Sequence, residues 1–548
     1  MLPFSAPLLA ADGPGATLLI PLVPALPLVA MLTIALVRPR HRPASRLALG
    51  SVVLGGVAAA GLLVLAGGGG LRGPGGWLIA DRVGAATALL AATVAVTVLA
   101  YASRALTGDR GGVRFAALAA GLTAATSTLA LAGTLVVLAA AWIAVGMLLV
   151  AALAIRTRHG QVAVAVRRTR TSFLIGDAAL VVAVALVTAT AGTVSLDRRL
   201  TPVVADLADI AVLGPLALSL LDVVAVLLVV AGVSRSALLP FHRWLPATLA
   251  APTPVSAMLH AGVVNGAGVL LLAVGPVVLA STVATGLAFG LAAATAVLSL
   301  AIMLVRADIK GALVWSTSAQ MGFMVMQAAI GALGAALVHL IGHGLYKAAA
   351  FLGAGGRVSE AARARHRPLP ATPPPRVVLH LGRVVVPAVA AAAAFALVRP
   401  GFGPAKTLLI AVLVTVTLGH LLAGWLVTAP LGVAGTLTAG AVAAPLLGSL
   451  YLGGIVLVEA AMGEALPAAG PASIGVWPLA VVLAVVALLV LGVQLAPGRG
   501  RARIHAWLVG IGTAPVASTH RTAAGRPHTA DRATQGARLQ GAQPEVIA

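Results

Sequence analysis

The stretch "HLIGHGLYKAAAF", residues 339–351, sets His339, His343 and Lys347 four residues apart in a run otherwise apolar enough to be core or lipid-facing. On a helix a step of four advances the face by only about 40°, so the three groups line one narrow stripe over two turns. A Lys or Arg at mid-membrane costs about 2.5–3.5 kcal/mol on translocon scales, so a hydrated or polar partner is expected to face the stripe. Neighbours roughly 6 Å apart at an effective dielectric near 20 interact by about 2.8 kcal/mol, so protonating one disfavours protonating the next. That coupling, with imidazoles that exchange protons near neutral pH, suits a proton relay. Two other readings stand beside it. The histidines could be neutral and hydrogen-bonded between helices, with Lys347 reaching to the surface, or they could be a zinc pair, for which no HExxH and no third ligand lies near.

Other costly groups fall in apolar runs: Asp177 in "FLIGDAAL", Asp222 in "LSLLDVVAV", Arg235 in "GVSRSALLPFH", His260 in "SAMLHAGVVNGAG", Lys310 in "ADIKGALVWST", His420 and Glu459. Arg235 and His260 flank "PFHRWLPATLAAPTPVS", where Pro240, Pro246, Pro252 and Pro254 remove amide donors and forbid a continuous helix. Such backbone is tolerated at membrane depth only where protein or a cavity satisfies the freed carbonyls, and broken helices are where transporters place ion sites. Lys310 either anchors a span end or belongs to an aqueous lining with Ser316, Thr317, Ser318 and Gln320. Asp177, Asp222 and Glu459 either conduct or neutralise buried cations, and His420 reads as a core histidine. The segment "GFGPAKT" imitates a phosphate loop but lacks the Gly before Lys and a preceding strand.

The elements that position these groups are transmembrane helices. The chain has 548 residues, 60% hydrophobic and 9% charged, with a mean hydropathy of +1.06. Apolar runs near residues 17–37, 46–67, 83–103, 114–131, 133–155, 172–192, 211–233, 253–274, 283–305, 311–330, 331–353, 377–398, 405–428, 431–460 and 474–495 make about fifteen spans. A β-barrel would show short alternating segments instead. The formal charge of +22 is spread over every second loop, as in "RPRHRPASR", "RALTGDRGGVR", "RADIK" and "GRVSEAARARHRPLPATPPPR", and so reads as topology and not as a nucleic-acid surface. The positive-inside rule puts those loops in the cytoplasm, with the N-terminus outside in the cell (inner) membrane. With no Cys, the chain holds no thiolate-ligated zinc or iron–sulfur centre.

Three blocks, "SALLPFHRWLPATLAAPTPVSAMLHAGVVNGAGVLLL", "ADIKGALVWSTSAQMGFMVM" and "LVHLIGHGLYKAAAFLGAGG", closely resemble the proton-translocating, antiporter-like membrane subunits of respiratory complex I and the Mrp antiporters. The resemblance covers roughly residues 115–355. It implies an all-α polytopic bundle of about 14–15 helices with inverted repeats and a proline-broken helix in each. It also implies a proton pathway through Asp177, Arg235, His260, Lys310, His339, His343 and Lys347. Two positions depart from the family: Ile143 stands where a glutamate is expected after Trp142, and Arg235 stands for a lysine. Arginine stays protonated, so it cannot hand on its own proton. Asp177 or Asp222 is the candidate replacement carboxylate, and Lys406 is a candidate second broken-helix lysine.

The details "HAGVVNGAG" and "STSAQMGFMVMQ" look most like the membrane subunit of the DAB inorganic-carbon accumulation complex. That likeness implies a large cytoplasmic, zinc-containing, carbonic-anhydrase-like partner, with H+ or Na+ flow energising capture of CO2 or bicarbonate. The competing reading is an antiporter-like subunit of an NADH-quinone oxidoreductase or membrane hydrogenase. A membrane anchor that conducts nothing is the third. No catalytic residue, bound cofactor or metal is expected on this chain, zinc being expected on the partner. The expected organisation is N-terminal helices over 1–112, a translocation core over 113–355, C-terminal helices over 356–496 and a disordered basic cytoplasmic tail over 497–548.

Overall fold

The computed structural model describes residues 14–66, 70–156, 160–192, 195–196, 200–213, 218–357, 360, 432–466, 478, 481 and 498–513. The chain is an all-α, multi-pass membrane protein. Its helices in chain order are α1 (Pro14–Val37), α2 (His41–Leu65), α3 (Arg82–Ala105), α4 (Gly112–Ala130), α5 (Leu135–Leu153), α6 (Gly160–Ala191), α7 (Leu200–Ala208), α8 (Leu220–Arg235), α9 (Trp244–Ala247), α10 (Thr253–Ala261), α11 (Gly266–Ala280), α12 (Thr282–Val305), α13 (Ile309–Ala329), α14 (Leu333–Leu352), α15 (Gly432–Met462) and α16 (Gly498–Gly512). Twelve of the spans expected from hydropathy coincide with helices or, for 253–274, with the α10–α11 pair. The spans at 377–398 and 405–428 lie outside the described residues, as do Lys406, His420 and all of 474–495 but residues 478 and 481.

Apolar sequence alone does not decide which helices touch; small residues do. Gly55 of α2 faces the Val23 carbonyl of α1, and a Cβ there would stand 2.9 Å from that oxygen. Gly322 of α13 lies against the Ala292 carbonyl of α12, 2.5 Å from where its Cβ would be. Such close approach is how helices associate where lipid removes the hydrophobic incentive. Outward faces carry bare apolar side chains, among them Val29, Leu36, Val64, Met147 and Val181, as a lipid-facing surface requires.

The chain departs from the hydropathy reading in three places. The helix of the span expected from 211 starts late: Ala211–Leu213 and Leu218–Ser219 pair as a short antiparallel ribbon. The helix starts at Leu220 because Ser219 and Asp222 form a reciprocal capping box. The expected single span from 253 breaks after Ala261 through a 3-10 turn at Val263–Asn265, so α10 and α11 are separate. Finally, the first part of the expected disordered tail is helical: α16 packs against α12, and its Gly512 carbonyl accepts from Trp315 Nε1 (3.2 Å) and an Arg306 guanidinium NH (3.2 Å). Ile504, Trp507 and Ile511 recur there at helical spacing, a signal masked by the surrounding arginines.

Candidate functional site

The break predicted at the prolines forms as expected. After Arg235 the backbone runs through Ser236 and Ala237, a turn at Phe241–Arg243, α9, and a second turn at Thr248–Ala250 before α10. Side chains take up the carbonyls this frees, as burial demands. Ser318 Oγ donates to Ala237 O (3.0 Å), Trp244 Nε1 to Ser234 O (3.0 Å), Ser236 Oγ to Val264 O (2.6 Å) and Lys310 Nζ to Ala251 O (3.3 Å). Lys310 is thus a half-buried cation tying the start of α13 to the segment before Pro252.

At the end of α8, Arg235 is 1% exposed and donates to Asp177 Oδ1 of α6 at 2.7 Å and to the Trp142 carbonyl of α5 at 3.1 Å. Its guanidinium lies 4.5 Å from the Trp142 ring centre and 4.3 Å from that of Phe173, a cation held between two aromatic faces. Gly146 and Gly266 leave the room it needs: a Cβ on Gly266 would stand 2.6 Å from Arg235 Cγ. Of the two carboxylates proposed to replace the absent glutamate, Asp177 is the one that reaches Arg235. Asp222 lies at the opposite end of α8, about 20 Å along the helix. There it accepts from Ser219 N (3.0 Å), Ser219 Oγ (2.9 Å) and Ser281 Oγ (2.6 Å), the hydrogen bonds of a helix cap.

The His339/His343/Lys347 stripe of α14 faces α13. Lys347 does not reach the surface: it is 0% exposed, with Nζ donating to Ser316 Oγ at 2.6 Å and to Leu313 O at 3.4 Å. His343 Nδ1 meets Gln320 Oε1 at 3.0 Å, and its Nε2 meets the His260 carbonyl at 3.1 Å. His339 Nδ1 meets Gln327 Oε1 at 3.1 Å, and Gln327 Nε2 in turn approaches Tyr451 Oη of α15 at 3.5 Å. Counting up α13 through Ser316, Gln320 and Gln327 while counting down α14 through Lys347, His343 and His339 gives an antiparallel seam in which each basic group has one polar side-chain partner on α13. His260, 1% exposed, stacks on Phe351 at 4.2 Å between ring centres, and its Nδ1 has no hydrogen-bond partner among the described residues.

The geometry of the seam bears on the readings left open by the sequence. Lys347 does not snorkel, and each histidine of the i, i+4 pair turns to an amide. Among the described residues no three His, Cys, Asp or Glu side chains converge to hold a metal ion. His343 Nδ1 and Nε2 both face carbonyl oxygens, an arrangement that suits imidazolium with Gln320 as drawn and neutral imidazole with that amide turned about. The seam can therefore hold either protonation state of His343. Sequence reasoning missed Gln327 and Tyr451. For Gln327 the signal was its position seven residues beyond Gln320, two turns along the same face. Tyr451 sits in a helix with no other legible pattern.

Residues 132–368 match the family described as "NADH:quinone oxidoreductase/Mrp antiporter, TM". The chain is 34% identical over 298 residues to the probable inorganic carbon transporter subunit DabB1 of Halothiobacillus neapolitanus, a match covering 54% of this chain and 52% of that one. It is 32% identical over 281 residues to the chloroplastic NAD(P)H-quinone oxidoreductase subunit 5 of Adiantum capillus-veneris, covering 51% of this chain and 38% of that one. The match thus spans about half, or less, of these relatives' length. The fold is similar to that of a chain in the Mrp complex from Dietzia sp. DQ12-45-1b, with a TM-score of 0.59 at 24% identity over 91% of this chain and 59% of that one. Residues 132–368, which hold the broken helix and the α13–α14 seam, are thus similar to the membrane domain described for the NADH:quinone oxidoreductase/Mrp antiporter family.

Proposed function

We propose that this chain conducts protons across the membrane through Asp177–Arg235, His260, the His343–His339 seam with Lys347, and Lys310, and that downhill flux energises inorganic-carbon uptake by a zinc-containing, carbonic-anhydrase-like cytoplasmic partner. The observation that carries the conducting role is the α13–α14 seam: a fully buried lysine and two histidines, each held by a polar side chain, in a segment where every such group is costly. Imidazoles in the seam favour H+ over Na+, because a ring nitrogen takes up and gives up a proton and is a poor ligand for a hard cation. Arg235 acts as a fixed charge. Its ion pair sets the field at the break, and the titrating steps fall to the histidines and lysines.

The carbon-uptake role rests on the likeness to the DabB1 subunit. The similarity to an NAD(P)H-quinone oxidoreductase subunit supports a second reading, in which the chain is a pumping subunit of a quinone-linked complex. Under either reading the basic loops face the cytoplasm. Affinity purification from the native membrane, with mass spectrometry and zinc analysis, separates the two. One large zinc protein supports the first; iron–sulfur and quinone-site subunits overturn it in favour of the second.

A further inference from the structure

The helix α16 is docked at the membrane face that carries the basic loops. Its Gly512 carbonyl accepts from Arg306, which caps the end of α12, and from Trp315 of α13. The approach is close, since a Cβ on Gly512 would stand 2.5 Å from Ile302 of α12. Trp315 lies about 9 Å along α13 from its first residue, and a helical side chain leans back toward the N-terminus. The docked end of α16 therefore sits near the level where lipid headgroups give way to acyl chains, the depth at which amphipathic helices lie on a bilayer. Leu304, two residues before Arg306, is 64% exposed, so the lipid-facing surface of α12 reaches this level too.

The exposed side chains of α16 fall into two adjoining sets. Ile504, Trp507 and Ile511 share a sector about 60° wide, and Trp507 is 60% exposed. Arg503 and Arg499, both exposed, border that sector about 40° and 80° beyond its Trp507 edge. Ala502, also exposed, stands on the opposite side. No Asp or Glu occurs between residues 465 and 530, so no acidic side chain of this segment offsets the arginines. An indole and two isoleucines in one stripe need cover from water, and arginines at its border lay their apolar stems along it while their heads seek anions. Indole is also the ring that favours the membrane–water boundary.

We propose that α16 is an anionic-lipid-binding helix lying in the headgroup layer at the face of the basic loops. Ile504, Trp507 and Ile511 enter the acyl boundary, and Arg499 and Arg503 take the phosphates of acidic lipids, which the planar guanidinium binds with two parallel hydrogen bonds. A bilayer is the occupant that fits, because the apolar stripe continues the exposed surface of α12 at Leu304 and the charge beside it complements an acidic leaflet. This role goes beyond conduction and stands whether or not the chain carries protons.

The chain contains no cysteine, so a single thiol carries a nitroxide without background. The full-length protein with its co-purifying partners is labelled at Ile504→Cys, Ile511→Cys or Ala502→Cys. Each is reconstituted into vesicles of phosphatidylcholine alone or with phosphatidylglycerol added. Electron paramagnetic resonance then compares relaxation by O2, which concentrates in lipid, with relaxation by a water-soluble nickel chelate present on both sides. With phosphatidylglycerol, the labels at 504 and 511 relax mainly through O2 and the label at 502 mainly through nickel. Without it, the O2 preference at 504 falls, and Arg499→Gln/Arg503→Gln abolishes the difference between the two lipids. Nickel-dominated relaxation at 504 in both lipids overturns the proposal. So does relaxation by neither reagent, which means that a protein surface covers the stripe, and so does an O2 preference indifferent to phosphatidylglycerol.

Discussion

Arg235 and Asp177, 58 positions apart in the chain, meet at 2.7 Å across the α6–α8 contact, the cation fully buried and the carboxylate 14% exposed. Breaking a buried pair leaves an uncompensated charge, which costs about 3–5 kcal/mol, whereas replacing both partners by apolar side chains costs far less. Asp177→Asn is therefore expected to lower the thermal denaturation temperature of the detergent-purified protein sharply. The double variant Asp177→Leu/Arg235→Met recovers most of the loss while remaining without conduction. A double variant less stable than the single would show that the pair is not the dominant interaction at this site.

Glycine at 266 is a steric requirement of the same cluster. Gly266→Ala puts a Cβ 2.6 Å from Arg235 Cγ and 3.2 Å from the Trp142 ring, and overpacking of this kind costs about 1–3 kcal/mol. Gly286→Ala in α12 meets nothing within 4 Å and gains about 0.5–1 kcal/mol of helix propensity. Denaturation of the two variants side by side should move in opposite directions.

Asp222 separates a cap from a conducting group. Asp222→Ala removes the acceptor for Ser219 and Ser281 and should cost about 1 kcal/mol of stability, as lost helix caps do, while proton flux per assembled protein stays at the parental level. Flux lost in proportion to the seam variants would return Asp222 to the pathway.

The amide partners of the histidines should matter as much as the histidines' own surroundings. Gln320→Leu deletes the group facing His343 Nδ1, and Gln327→Leu the one facing His339 Nδ1. A hydrogen bond to a charged group contributes about 1.5–3 kcal/mol, which corresponds to a fall in flux of about tenfold or more. Met321→Leu, about 100° around α13 from Gln320, is the control and should leave flux unchanged. Proton uptake into proteoliposomes measures all three.

The apolar runs were long enough to place twelve spans in order among the described residues, because lipid demands length and composition that no loop imitates. The seam was half legible. Spacing of four exposed His339, His343 and Lys347 as one face, but partners on α13 depend on the antiparallel register of two helices, which no periodicity within one segment reveals. The break after Ala261 was hidden for a related reason: "HAGVVNGAG" carries no proline, and it opens where His343 and Ser236 take the freed carbonyls of His260 and Val264. Asp222 reads in the sequence as a functional carboxylate in an apolar run, and its capping box with Ser219, three residues earlier, was equally legible there.

The most direct test of the conducting role is proton flux through proteoliposomes holding the full-length protein with its co-purifying partners, driven by an imposed potential and read by an entrapped pH dye. Lys347 is fully buried against Ser316, and Lys347→Met keeps its volume while removing its charge. The wild-type protein should collapse the gradient, and Lys347→Met should lower the rate by about tenfold or more, the cost of losing one charged hydrogen-bonding group from the path. Equal rates in the two proteins, or a wild-type rate no higher than that of protein-free liposomes, would contradict it.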